Sequence, residues 1–344
     1  MMRNAFTVLF FCLICSSVGQ AATITNFVTG PSNGSQPVKV FAGETGAEIA
    51  SFVAYPGFTG EVRVAGGDVN GDGYGDVITG VGSSSSHVKA FDGRTGDELR
   101  SFFAYSGLTS GVYVAAGDVD DDGFEDVITG SSVNGHVKVF SGASGSELLS
   151  FFAYSGFTGE ARVGSGDVNH DGYADVITGA SANGHVRVFD GHTGGELASL
   201  FAYGATSAGV YVAGGDIDGD GFADVVTGLE VNGHVKVFSG ANGSELRSFF
   251  AYPGFTGAVR VASADFNHDG FADIVTSTNA VNGHTKIFDG QTGGELLSLF
   301  AYPGSSGGAW VGTVAAPEPS SLALGIAGLA GLSMVALRKK YCRA

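Results

Sequence analysis

DVNGDGYGDVITG (68–80) is followed by four close copies: DVDDDGFEDVITG (118–130), DVNHDGYADVITG (167–179), DIDGDGFADVVTG (216–228) and DFNHDGFADIVTS (265–277). Their starts lie 50, 49, 49 and 49 residues apart. Numbered from its first Asp, each copy carries Asp or Asn at positions 1, 3, 5 and 9, Gly at position 6 and an aromatic residue at position 7. Oxygen side chains at alternating positions around an obligatory sharp turn are what a hard cation of six to eight oxygen ligands requires. The expected calcium ligands are Asp68, Asn70, Asp72, Tyr74 and Asp76 in the first loop, and Asp118, Asp120, Asp122, Phe124 and Asp126 in the second. In the third they are Asp167, Asn169, Asp171, Tyr173 and Asp175, in the fourth Asp216, Asp218, Asp220, Phe222 and Asp224, and in the fifth Asn267 with Asp265, Asp269, Phe271 and Asp273. The aromatic residues serve through their backbone carbonyls. About five calcium ions follow. Position 12 is Thr79 in the first loop where an EF-hand carries Glu, and the flanks read as strands, so these are not EF-hands.

The loop is one part of a longer unit. A short strand (EVRVAGG) precedes it, and DVITG, HVKVF and ELLSFFAY-like strands follow. Four strands in about 50 residues is the length of a propeller blade. The first body segment, TITNFVTG (23–30), matches the second strand of a unit, and the last, GAWVGTV (308–314), matches the missing first strand. The expected fold is all-β: a six-bladed β-propeller of four-stranded blades, the sixth closed by both chain ends. That accounts for six FAY-type strands beside five acidic loops. Loop position 3 alternates Asn70, Asp120, Asn169, Asp218, Asn267, and the residue after the third strand alternates Asp92, Ser141, Asp190, Ser239, Asp289. A two-blade ancestor copied three times gives this pattern.

The ends read as processing segments. Residues 1–21 have Arg3, an apolar core and the small-residue stretch VGQAA, as a signal peptide does. Residues 317–344 combine PEP, an apolar run from Leu322 to Leu337, and RKKYCR; the run is short for a membrane helix and reaches near-adequate length with Ser320 and Ser321. Cys12 and Cys15 leave with the signal and Cys342 sits in the tail, so the body (22–316) is exported without disulfides. The body keeps 12 basic and 33 acidic residues, a charge of −21 within a chain whose total is −17. This excludes nucleic acid as a partner and disfavours anionic membrane.

The five D-x-[ND]-x-D-G-x-x-D loops and their strands resemble the FG-GAP/VCBS repeats of integrin-alpha N-terminal-like propellers, over nearly all of 22–316. The resemblance implies calcium at the loop between the first two strands, on one face, and a partner-binding rim on the other. Six blades instead of the integrin seven, and VITG where the FG and GAP phrases belong, depart from that pattern. The C-terminal trio resembles the PEP-CTERM sorting signal. That resemblance implies an exosortase-type processing enzyme, transient inner-membrane anchoring by the C-terminal segment, and cargo at the cell surface or in extracellular matrix.

One inner-strand position varies: Arg63, Tyr113, Arg162, Tyr211, Arg260 and Trp310. In a propeller these six form a ring at one mouth of the channel. Alternating guanidinium and aromatic groups either grip a sugar or pack blade against blade. A second ring, His87, His136, His185, His234 and His284, cannot converge on one metal and reads as turn or edge residues. The Glu of the GxEL turns reads as solvated. The near-identity of the loops argues against an acid–base pair, so the expectation is a calcium-stabilised, non-enzymatic surface module, with adhesion to extracellular polysaccharide or a surface protein. A polysaccharide lyase or hydrolase, and a purely structural coat component, are the alternatives.

Overall fold

Burial along the repeat sorts its four strands from the axis outward. The computed structural model describes residues 23–33 and 36–317. In blade 1 the strands are Val62–Gly67, Asp76–Val81, His87–Phe91 and Glu98–Phe103. Every residue of DVITGV is buried, the third strand alternates, and every residue of ELRSFF is at least partly exposed. A strand with both faces buried must sit inside its sheet and between two neighbouring sheets, which is why its sequence does not alternate. Blades 2 to 5 repeat the pattern, their outer strands ending at Phe152, Phe201, Phe250 and Phe300. Strand order within each of these five sheets follows the chain, as in an up-and-down blade.

Blade 6 is built from both ends of the described chain. Its order is Ala309–Pro317, Thr23–Pro31, Val38–Ala42, Glu48–Phe52. Blade 6 therefore has the same four paired strands as the others, and the wheel closes. The segments read as signal peptide and sorting signal lie outside the described residues, except for Pro317. Among the described residues no helix is long and apolar enough to cross a membrane.

A tyrosine at the end of each outer strand ties its blade to the next. Tyr105 donates to the carbonyls of Thr129 and His136 at 3.0 and 2.9 Å. Tyr302 closes the ring by donating to Thr29 and Pro37 carbonyls at 2.9 and 3.0 Å. The second-strand glycine permits the blades to approach this closely. A Cβ on Gly130 would lie 2.1 Å from the Ala161 carbonyl of the next inner strand.

Strand register fixes two opposite faces. Arg63 pairs across from Gly80, and His87 from Phe103, at one end of blade 1. Gly67 pairs with Asp76, and Phe91 with Glu98, at the other, where the acidic loop leaves the sheet.

Candidate functional site

The acidic loops line one face. Their local geometry follows from the first Asp, which gathers the turn's amides. Asp68 accepts Gly71 N and Asp72 N through Oδ1, at 2.8 and 3.1 Å, and Gly73 N through Oδ2 at 2.8 Å. The glycines at position 6 all have positive φ, 84 to 94°. Position 4 does too, and where it is not glycine the chain accepts Asp121, His170 and His268 in the left-handed region.

Position 9 has a second task that the spacing alone does not reveal. Asp76 is fully buried; its Oδ2 accepts Val69 N within the loop and its Oδ1 accepts Gly93 N from the turn after the third strand. Asp126, Asp175, Asp224 and Asp273 repeat both bonds. Burial pushes the carboxyl of Asp76 up to about 7 and those of Asp126, Asp175 and Asp224 to about 6, against the pull of these amides. For Asp273 the direction and cause are the same.

Two loops bring their carboxylates close enough to share one ion. Asp118, Asp120 and Asp122 offer oxygens all within 4.8 Å of one another, and Asp216, Asp218 and Asp224 do the same. Asp120 Oδ1 is buried and accepts no hydrogen bond. A buried anionic oxygen without a donor, beside two other carboxylates, has the chemistry of a cation ligand. The acidic clusters of this propeller can thus hold a metal such as calcium.

The alternation at position 3 has a physical cause. Asn70 Nδ2 donates to Asp92 Oδ2 at 3.4 Å, and Asn267 to Asp289 at 3.0 Å. In blades 2 and 4 the loop residue is Asp120 or Asp218, and its counterpart is Ser141 or Ser239. Each blade thereby avoids setting carboxylate against carboxylate. Adjacent loops are also linked around the face. Glu125 N donates to Asp68 O, and Ala174 N to Asp118 O, both at 2.8 Å. The position-7 side chain packs on the preceding loop, as Phe124 does on Gly71 and Phe222 on His170.

At the opposite mouth the six ring residues do come together, and they close on themselves. Arg63 stacks on Tyr113 at 3.6 Å, Arg162 on Tyr211 at 4.0 Å and Arg260 on Trp310 at 3.8 Å. Trp310 also meets Tyr113 and Tyr211 edge-on, both at 5.7 Å. Five of the six are buried and Tyr211 is partly so. Arg63 pairs with Glu61 at 2.6 Å, and Arg162 with Glu160 and Glu230 at 3.1 and 2.9 Å.

The exposed aromatic surface lies further out on the same face. Phe103, Phe152, Phe201, Phe250 and Phe300, at the ends of the outer strands, are 52–65% exposed. Each stacks on the histidine that opens the neighbouring third strand, with centroids 4.5–4.7 Å apart. Each imidazole Nε2 bonds a serine hydroxyl, Ser101 for His87 and its equivalents elsewhere. Partial burial, with the neighbouring Lys or Arg charge, pushes all five imidazoles below their ordinary range. These histidines are platform residues, not turn residues. The GxEL glutamates are solvated, and each is also paired. Glu48, Glu98, Glu147, Glu196, Glu245 and Glu295 pair with Lys39, Lys89, Lys138, Arg187, Lys236 and Lys286 on the third strands. An FF or LF dipeptide ending each of the five outer strands, facing a His at fixed offset, was the available signal for the platforms.

Residues 167–227 match the FG-GAP-like repeat and residues 62–96 the FG-GAP repeat. No curated protein matches. A protein of unknown function from Bacteroides caccae, solved by crystallography, is similar in fold with a TM-score of 0.57; it is 12% identical, over 85% of this chain and 99% of its own. The computationally designed Ika8 protein is 25% identical over 80% of this chain and 72% of its own, with a TM-score of 0.43.

Proposed function

We propose that this FG-GAP-repeat β-propeller is an exported, calcium-stabilised binding module without catalytic activity, whose ligand is extracellular polysaccharide. The observation that carries the reading is the set of five equivalent exposed Phe–His platforms on the mouth face. An exposed ring face suits the apolar side of a pyranose, and the adjoining imidazole and serine supply hydrogen-bonding groups. The same exposed aromatic group recurs at the same place in five blades. A repeating polymer can engage several copies at once, which raises avidity without any strong single contact.

On this reading the calcium ligands are positions 1, 3, 5, 7 and 9 of each loop, and the ion supplies cross-linking of one hairpin per blade in a body free of cysteine. Residues 1–21 direct export. Residues 317–344 direct sorting through an exosortase-type enzyme, after transient membrane anchoring, to the cell surface or matrix. Burial of the six-residue mouth ring moves the polysaccharide contact outward from Arg63 and its partners to the rim.

The test is retention on extracellular polysaccharide of the source cells, in calcium, of the wild type beside a variant with Phe103, Phe152, Phe201, Phe250 and Phe300 replaced by Ser. These side chains are exposed, so the fold should persist. Retention is expected for the wild type and lost in the variant, with no reducing ends or unsaturated sugars released. Equal retention of both proteins would remove the platforms from the reading and turn attention to a surface-protein partner.

A further inference from the structure

The three mouth arginines are not treated alike. Glu61 stands two residues before Arg63 and Glu160 two before Arg162, each paired with its arginine. The equivalent residue before Arg260 is Ala258. Arg260 is 6% exposed, donates through Nη1 to the Ala309 carbonyl at 2.7 Å, and has the Tyr211 hydroxyl beside it. Its Nε has no acceptor among the described residues. Trp310, stacked on it at 3.8 Å and 7% exposed, likewise has an Nε1 with no acceptor. The nearby carboxylate, Glu61, is engaged by Arg63 through both Nε and Nη2.

A buried guanidinium with no carboxylate bonded to it, and only the shared charge of Glu61 nearby, is unfavourable, and stacking on an indole offsets only part of that. Buried donors without acceptors add to it. A water could take up the donors but would add no charge to that of Glu61, which Arg63 already engages. Burial weighs against the charge of all three arginines. Neighbouring tyrosine and glutamate groups outweigh it at Arg63 and Arg162, whereas Arg260 is left below its ordinary value. The acidic loops, which would repel an anion, are on the opposite face, and the carboxylates at this mouth, Glu61, Glu160 and Glu230, are each engaged by Arg63 or Arg162.

We propose that the channel mouth holds one small monovalent anion, of chloride or formate size, against Arg260 and Trp310. The closed ring excludes a sugar acid, because the residues that would have to admit it are buried. The anion completes the plug at the one arginine that lacks a carboxylate of its own. This inference is independent of polysaccharide binding at the rim, whose test reads different residues.

Trp310 is the single tryptophan of the chain, so its emission reads this site alone. Chloride is titrated against gluconate at constant ionic strength, in calcium, into the full chain. A saturable change in emission is expected, together with a higher melting temperature in chloride than in gluconate. Formate should reproduce the change and glucuronate should not. Arg260→Gln should weaken apparent chloride affinity by about tenfold or more. Should that variant not fold, Ala258→Glu decides the matter. It supplies the missing carboxylate in the position used by the other two blades, and should abolish the chloride response while melting in gluconate as the wild type does in chloride. No chloride dependence of emission or melting in the wild type overturns the proposal, as does an unchanged response in Ala258→Glu or a glucuronate response equal to that of chloride.

Discussion

Asp122→Ala and Asp126→Ala remove carboxylates from the same loop, and the structure assigns them different consequences. Asp122 is exposed, and its Oδ1 accepts one local amide, Phe124 N. Asp126 is fully buried, and its two oxygens accept Val119 N and Gly142 N, both at 2.9 Å. Each amide left unpaired in the interior costs about 1–3 kcal/mol. Relief of the unfavourable burial that pushes Asp126 up to about 6 offsets part of this. Asp126→Ala should therefore lose about 2–4 kcal/mol with a chelator present, a fall of roughly 5–10 °C in melting temperature. Asp122→Ala should stay within about 0.5 kcal/mol of the wild type there, as surface substitutions do. In calcium both variants forfeit one ion, worth about 2.7 kcal/mol at a hundredfold excess over its dissociation constant. Thermal and denaturant unfolding, each run with EDTA and with calcium, separates the two terms. An Asp126→Ala protein that melts with the wild type in EDTA would refute the dual role of position 9. An Asp122→Ala protein indifferent to calcium would remove the loop from the set of ion sites.

Tyr302→Phe removes the hydroxyl shared between the Thr29 and Pro37 carbonyls at the blade that closes the wheel. A loss of about 1–3 kcal/mol is expected in equilibrium unfolding, and a loss under 0.5 kcal/mol would show that the tyrosine tether is dispensable. Asn70→Asp places a carboxylate against Asp92 and should destabilise the chelated protein by about 0.5–1 kcal/mol; adding Asp92→Ser should recover it, since blades 2 and 4 already use that pairing, and a double-mutant cycle with no coupling contradicts the explanation. The five platform imidazoles should titrate below 6.5 by NMR, because partial burial disfavours their charged form. A group whose folded pKa is depressed contributes stability that is present above its unfolded pKa and lost as pH falls through the folded one. In saturating calcium, protonation of the platforms should therefore lower stability below about pH 6.5. An imidazole midpoint above 6.5 would count against the stacked, partly buried arrangement.

What was legible in this chain was whatever repeats. The acidic loops, the strand order and the closure of blade 6 each follow from copies in register, because every copy must solve the same packing problem at the same place in its blade. The second strand reads as a continuous apolar run because both of its faces are covered, and DVITG shows this without reference to coordinates. The double use of position 9 was hidden, since an aspartate that gathers two backbone amides and an aspartate that binds an ion carry the same letter. So were the glutamate pairs on the outer strands. Their lysine or arginine partners lie nine residues earlier across a hairpin, and only the register brings them together.

The internal arrangement of the six mouth residues depends on the one position where the repeat is broken. Five blades supply Arg or Tyr, and the sixth supplies Trp310, whose larger ring reaches Tyr113, Tyr211, Arg63 and Arg260 together. A strictly alternating ring of three Arg and three Tyr would be threefold symmetric about the axis. One indole in place of the third phenol breaks that symmetry, shielding Arg260 with an aromatic face while the absence of a glutamate at position 258 leaves it with no carboxylate bonded to it. One change lies at the start of blade 5 and the other in the first strand of blade 6, so both border the same interface. Departures from a repeat are informative because packing no longer explains them by symmetry, and here two departures meet on one buried arginine.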